Sequence, residues 1–314
     1  MLRYNEALSR HTSFRIGGPA YCWAEVESPE GILEVISLAE SKNKKFIIAG
    51  KGTNLLVRDE GFDGAVIHLA GYFEKIEKES GEIIRSGAGN SLAKLVKYAS
   101  SEGLRGCEFL AGVPGSMGGA IFMNAGVRSL ENPAVFIEIK DIILDVEVLD
   151  LKDKKIKTLS GKDIDFKYRS SGLDKKIILG ARLKLEKCKK EDAKDKIKAF
   201  NKKRDWLTKI GFPNAGSIFK NPNTNSIAKD LSAYRPRDQE NSLNFLDKSA
   251  GMLIESCGLK GKRIGAAEIS KVHANIIVNL GKATAKDVLG LIDLARTSVK
   301  QKFGVDLELE LKII

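Results

Sequence analysis

Residues suited to chemistry concentrate first in Gly106 to Gly126, GCEFLAGVPGSMGGAIFMNAG, which holds six of the chain's 30 glycines. Gly112, Gly115, Gly118 and Gly119 crowd around Pro114, and Asn124-Ala125-Gly126 follows a short apolar run. Lacking a Cβ, glycine takes positive φ and lets backbone N–H groups come close to a ligand. Ser116 is placed to cap a helix starting there, and a helix start beside turn amides attracts anions. The pattern suits a pyrophosphate-bearing cofactor; it also suits a tight Gly/Pro turn with no ligand. A second stretch, Gly50-Lys-Gly-Thr-Asn-Leu55, follows the apolar run 46–49. It sets small residues and amides at the end of an expected strand. It is neither G-x-G-x-x-G, since Leu55 stands at the third glycine, nor a Walker A loop.

The elements that must position these stretches are legible from period and caps. Ser28-Pro29-Glu30 predicts a helix start ahead of ILEVISLAE, and Ser91 caps an amphipathic helix that closes near Gly103. Strands are expected at 45–49, 65–70, 82–85 and 177–185, with a hairpin formed by 141–151 and 155–159. Further on, Ser249–Ser256 and Thr284–Phe303 read as helices and His273–Leu280 as a strand. Residues 306–313 alternate strictly, Leu307, Leu309, Leu311 and Ile313 on one face and Glu308, Glu310 and Lys312 on the other. Strands punctuated by helices, without regular βαβ alternation, indicate an α+β fold.

At 314 residues, 43% apolar and 30% charged, the chain has the makeup of a core-forming protein of two or three domains. No apolar run reaches membrane-span length, and MLRYNEALSRHTSF has no apolar signal core, so a cytoplasmic location is expected. Four cysteines lie far apart with no C-x-x-C, which argues against zinc or a redox pair. A net charge of +11 favours anionic ligands. Much of the excess sits in 184–204, where Lys, Glu and Asp mix at helical spacing. That run reads as a solvated helix face, not a nucleic-acid stripe, since no aromatics interleave with the lysines.

Several motifs in one order resemble the bacterial UDP-N-acetylenolpyruvoylglucosamine reductases. They are HTSFRIGGPA (11–20), AGKGTNLLVRDEGFDGAVI (49–67), GCEFLAGVPGSMGGAIFMNAG (106–126), YRSS (168–171), NAGSIFKNP (214–222), AGMLIESCGLKGKRIG (250–265), SKVHANIIVN (270–279) and FGVDLELEL (303–311). The short link after YRSS resembles the second type of that family. The resemblance implies an α+β chain with a two-part FAD-binding module of the vanillyl-alcohol-oxidase (PCMH) type and a smaller α/β substrate domain. The expected parts are 1–64 and 65–200, the latter joined by the C-terminal strand 304–314, with 201–303 for the substrate. It implies reduction of UDP-N-acetylglucosamine enolpyruvate to UDP-N-acetylmuramate for peptidoglycan precursor synthesis, with FAD as cofactor and NADPH as hydride donor. Expected partners are a small-molecule UDP-sugar, with no nucleic acid, no membrane, no metal and a monomeric state.

By the resemblance, Gly50, Lys51, Gly52, Thr53, Asn54 and Leu55 hold the FAD pyrophosphate and flank the flavin ring. So do Gly112, Val113, Pro114, Gly115, Ser116, Gly118, Gly119 and Ala120, with Asn124. Arg169 is implied to grip the substrate carboxylate, Ser217 to donate a proton, and Glu310, chosen over Glu308 by motif register, to steady the enol. Tyr168, Asn221, Lys260 and His273 are implied to bind the sugar nucleotide. Read without the family, four of these have plainer roles: Arg169 a surface arginine, Ser217 a turn serine, Glu310 a solvated glutamate and His273 a structural histidine. The polar run 223–248 is longer than the family's usual link. It is expected either to lid the substrate with Tyr234, Arg235 and Arg237 or to be a surface insertion. A flavoprotein of the same fold oxidising an alcohol or amine is the alternative function, and a basic nucleic-acid-binding protein the third.

Overall fold

The computed structural model describes residues 1–222 and 249–314, so the expected lid residues Tyr234, Arg235 and Arg237 lie outside it. The chain forms two compact units. The first comprises Met1–Glu6, Ala20–Lys51 and Asp63–Asp205; the second comprises Ala7–Pro19, Gly52–Phe62 and Trp206–Ile314.

The first unit contains two sheets. One sets strands Leu2–Ala7, Pro19–Val26, Phe62–Leu69 and Lys45–Ile48 side by side in that order, the last two parallel. Helix α1, Pro29–Ser41, starts where its cap predicts: the Ser28 side chain accepts from Gly31 N, and Pro29 takes the first turn. Its buried Ile32, Val35, Ile36 and Ala39 follow the helical period. The other sheet is antiparallel, in the order Lys155–Ser160, Ile143–Asp150, Lys176–Lys184, Ile83–Gly87, Ile76–Lys78. Helix α2, Leu92–Ser101, is capped by Ser91, and α3, Met117–Phe122, by Ser116. One apolar core joins these elements, with Phe73, Leu95 and Phe109 almost fully buried. Each such side chain contributes about 1.5–3 kcal/mol by leaving water.

Helix α4, Lys190–Lys203, begins later than the charge pattern suggests, because Glu186–Lys187 pair with Leu104–Arg105 as a short ribbon. Only Ala193 and Phe200 of α4 are buried, so the solvated-face reading holds for most of it.

In the second unit, α6, Ala285–Phe303, packs on the small antiparallel sheet Arg263–Ile264, Ala267–Ile269, Ile277–Asn279. Thr284 and Asp287 form a reciprocal capping box, and the Asp59 carboxylate accepts from Ala285 N and Lys286 N at 2.7 and 3.0 Å. Helix α5, Ala250–Ser256, is capped by Ser249.

Two expected strands shrink. The strand at 273–280 forms only at Ile277–Asn279, since Asn275 spends its side chain on the Phe219 backbone: its Oδ1 accepts from Phe219 N and its Nδ2 donates to Phe219 O. The alternating 306–313 run keeps its pattern, with Leu307 and Leu311 buried. Among the described residues, however, it makes no continuous ladder, only a bridge from Leu309 to Phe219 and a parallel pairing of Lys312–Ile313 with Leu55–Leu56.

Candidate active site

The two glycine-rich stretches meet in the first unit at Gly50 and Ser116. A Cβ at Gly50 would lie 2.3 Å from Ser116 Oγ, closer than real Cβ contacts allow. Ser116 cannot move aside freely, because its Oγ accepts from Gly119 N at the start of α3. Gly118 is similarly pressed, with an added Cβ 3.0 Å from Ala88 Cβ. Gly112 and Gly115 take φ of +71° and +144°, conformations that side chains resist. Gly112, Pro114 and Gly119 remain exposed, so the stretch offers bare backbone to solvent, beside Gly50. Such a surface fits an extended diphosphate, which needs close amides and no side chains in the way. Lys51 also lies in this unit, 3.9 Å from Glu74.

Gly52 to Leu55 belong to the second unit. Gly52, at φ +64°, turns tightly against His11: a Cβ there would lie 2.0 Å from the His11 carbonyl oxygen. Asn54 Nδ2 donates to the Glu310 carbonyl at 3.1 Å, tying this turn to the C-terminal segment of the same unit.

Asn124 is wholly buried at φ +42° and braces a neighbouring loop. Its Nδ2 donates to Lys167 O, and its Oδ1 accepts from Lys140 N. Lys167 and Ser170 exchange backbone hydrogen bonds, leaving Tyr168 and Arg169 at the tip of a two-residue turn. Ser171 Oγ fastens the turn's far side to Phe122 O. Arg169 sits at φ +57°, rare for a residue with a Cβ. Its Nη2 donates to Gly126 O at 3.3 Å, and its guanidinium lies 4.9 Å from the Tyr168 ring centre. The sequence places Arg169 in a loop; the structure shows that loop anchored at both ends to the glycine-rich stretch.

The segments that carry Ser217 and Glu310 run side by side in the second unit. The bridge between Phe219 and Leu309 runs them alongside, and Glu310 N and Leu311 N both donate to Ile218 O. Ser217 is half-buried, and among the described residues its hydroxyl makes no hydrogen bond. Glu310 is also half-buried. Glu308, by contrast, is exposed and ion-paired with Lys220 at 3.3 Å. Of the two acids Glu310 is the less exposed, and its backbone N–H is the one that donates to Ile218 O, next to Ser217 in sequence.

Asn221, Lys260 and His273 gather around α5. Asn221 Oδ1 accepts from Ala250 N, Lys260 pairs with Glu255 at 2.7 Å, and a Cβ on Gly251 would touch His273 Cε1 at 2.8 Å. Burial first, and then the Lys260 ammonium, hold the His273 imidazole below its ordinary 6.5, against a smaller upward pull from Glu255. Trp206 stacks on His273 with ring centres 4.9 Å apart and planes at 21°. Sequence reasoning missed Trp206, although it is one of only two tryptophans in the chain.

The chain matches the family model for the C-terminal domain of UDP-N-acetylenolpyruvoylglucosamine reductase over residues 208–314, and an FAD binding domain over 20–160. It is 40% identical to the UDP-N-acetylenolpyruvoylglucosamine reductase of Chloroherpeton thalassium, covering 100% of this chain and 93% of that one. With the same-named Bacillus subtilis protein it shares 36% identity over 99% and 93%. Among solved structures, the UDP-N-acetylenolpyruvylglucosamine reductase from Thermus caldophilus superposes with a TM-score of 0.76 at 33% identity, over 100% of this chain and 98% of that one.

Proposed function

The chain belongs to the UDP-N-acetylenolpyruvoylglucosamine reductase family, and from that premise we propose how its own residues carry out the reduction of UDP-N-acetylglucosamine enolpyruvate. The supporting observation is a backbone one: the bridge of Phe219 to Leu309, with Glu310 N donating to Ile218 O, runs the segment of Ser217, whose hydroxyl makes no hydrogen bond among the described residues, alongside that of Glu310.

Gly50 to Leu55 and Gly112 to Ala120 hold the FAD pyrophosphate and flank the flavin ring, and Asn124 acts behind them as a brace. FAD, when bound, supplies hydride transfer from NADPH to the methylene carbon of the enolpyruvyl ether. Negative charge then builds on the neighbouring carbon and its carboxylate. Arg169 grips that carboxylate in two-point fashion, and its guanidinium stabilises the growing charge. Ser217 delivers its hydroxyl proton to the carbanion carbon. A serine is a weak acid, so this works because the enolate is a far stronger base and the proton is held in place. Glu310 steadies the enol and helps return a proton to the serine. Asn221, Lys260 and His273 bind the sugar nucleotide around α5, and Tyr168 borders the carboxylate site. Residues 1–64 and 65–200, the latter joined by 304–314, serve the flavin and 201–303 the substrate. The enzyme works as a cytoplasmic monomer; among the described residues no helix is long and apolar enough to cross a membrane.

The test is isotopic. The holoenzyme is given substrate with NADPH deuterated at the transferred position, or with NADPH in heavy water. The product is expected to carry the first label in its methyl group and the second at the lactyl carbon. Hydride label at the lactyl carbon, or no UDP-N-acetylmuramate formed, overturns the reading.

A further inference from the structure

We propose that Arg204 is a second carboxylate-holding residue, sharing the enolpyruvyl carboxylate with Arg169. The proposal rests on the assignment of Arg169 given above and extends it to a residue that lies outside every motif. Arg204 closes the C-terminal end of α4, half-buried, and its Nη1 donates to the Gly112 carbonyl at 3.3 Å. Its aliphatic stem runs across the same glycine: a Cβ on Gly112 would lie 3.1 Å from Arg204 Cδ. Gly112 is therefore glycine for a packing reason as well as for its φ. The two arginines are anchored alike, one to the carbonyl of Gly112 and the other to that of Gly126.

Arg204 is also half-buried without a counter-charge among the described residues. Several cations of the same unit do have acids: Lys140 has Glu138, Arg182 has Asp145 and Lys196 has Glu131. Among the described residues Arg204 makes no ion pair. Burial, and then the charge of Arg169, push its pKa below the usual arginine range. Geometry puts this end of α4 near the Arg169 anchor: Lys203, the residue before Arg204, donates to the carbonyls of Arg128 and Ser129, two and three residues past Gly126. A planar carboxylate has two oxygens and matches two guanidinium forks.

The experiment uses the oxidised holoenzyme without NADPH and follows ligand binding by the change in flavin absorbance. Two ligands are compared, UDP-N-acetylglucosamine enolpyruvate and UDP-N-acetylglucosamine, which share the diphosphate and differ in the carboxylate. Arg204→Gln is expected to cut the preference for the first ligand roughly 10–100-fold, the span of a charged hydrogen bond, and to leave the second within about twofold. Arg204→Lys, which keeps charge but loses the fork, is expected to fall between and serves as the test if the glutamine variant does not retain flavin. An unchanged preference, or equal weakening of both ligands, overturns the proposal. Arg169→Gln is the control. If it abolishes the preference while Arg204→Gln does not, this inference fails and the Arg169 assignment stands; if neither does, that assignment fails too.

Discussion

Replacing Gly50 by alanine adds one methyl group where the structure leaves no room. Its Cβ would fall 2.3 Å from Ser116 Oγ and 3.3 Å from Ser116 Cβ, and Ser116 is fixed by capping α3. No positive φ is involved at Gly50, so the cost is overpacking alone, about 1–3 kcal/mol. The strain falls on the junction of the two cofactor loops, so FAD affinity should drop about tenfold for each 1.4 kcal/mol. Ser116→Ala removes the clashing oxygen and the cap, at about 1 kcal/mol by itself. The double variant should cost less than the sum of the singles by about 1 kcal/mol, since the alanine methyl then meets no hydroxyl. FAD dissociation measured by flavin fluorescence, with thermal unfolding of each apoprotein, gives the cycle. Additive costs, or a Gly50→Ala variant that binds FAD like the parent, would refute the account of this junction.

Ser217→Ala should be bleached by NADPH at the parent rate, while reoxidation by the enolpyruvyl substrate slows about 10²–10⁴-fold in stopped flow; equal losses in both half-reactions count against the serine as proton donor. His273 is held below 6.5, so the unfolded chain takes up its proton first. Its contribution to stability is complete above about 6.5 and is lost as pH falls from there through the folded value. His273→Gln should flatten the decline of melting temperature in that window, and an unaltered pH profile would contradict this. Trp206→Ala strips the imidazole of its cover, so the His273 pKa, followed by NMR, should rise towards 6.5; no rise would mean that the stacked indole is not what buries it.

Where structure is set by neighbours in sequence, the chain was readable. Ser28, Ser91, Ser249 and Thr284 each cap the helix they precede, because a cap needs only its own side chain and the next turn. The hairpin of Ile143–Asp150 with Lys155–Ser160 likewise follows from alternation on either side of a polar turn. What depends on distant partners was less legible. The run 306–313 alternates like a strand, yet its partners are scattered between Phe219 and Leu55–Leu56. Leu2–Ala7 is a strand with four exposed residues and no apolar rhythm, made by its sheet neighbour. The same division holds at the site. The glycines showed themselves by density, whereas Ser217, Arg169 and Glu310 each resemble ordinary loop or surface residues until motif order singles them out, and only the fold brings the segments of Ser217 and Glu310 side by side. Arg204 and Trp206 were hidden at the end of a lysine-rich run, where charge density masks the few residues whose surroundings differ.

The most direct measurement is the visible spectrum of the purified protein supplied with FAD, recorded before and after NADPH and then after UDP-N-acetylglucosamine enolpyruvate. The account predicts an oxidised flavin spectrum that NADPH bleaches and the enolpyruvyl ether restores under nitrogen. A preparation that takes up no FAD, or a bleached flavin that the substrate leaves reduced, would contradict it.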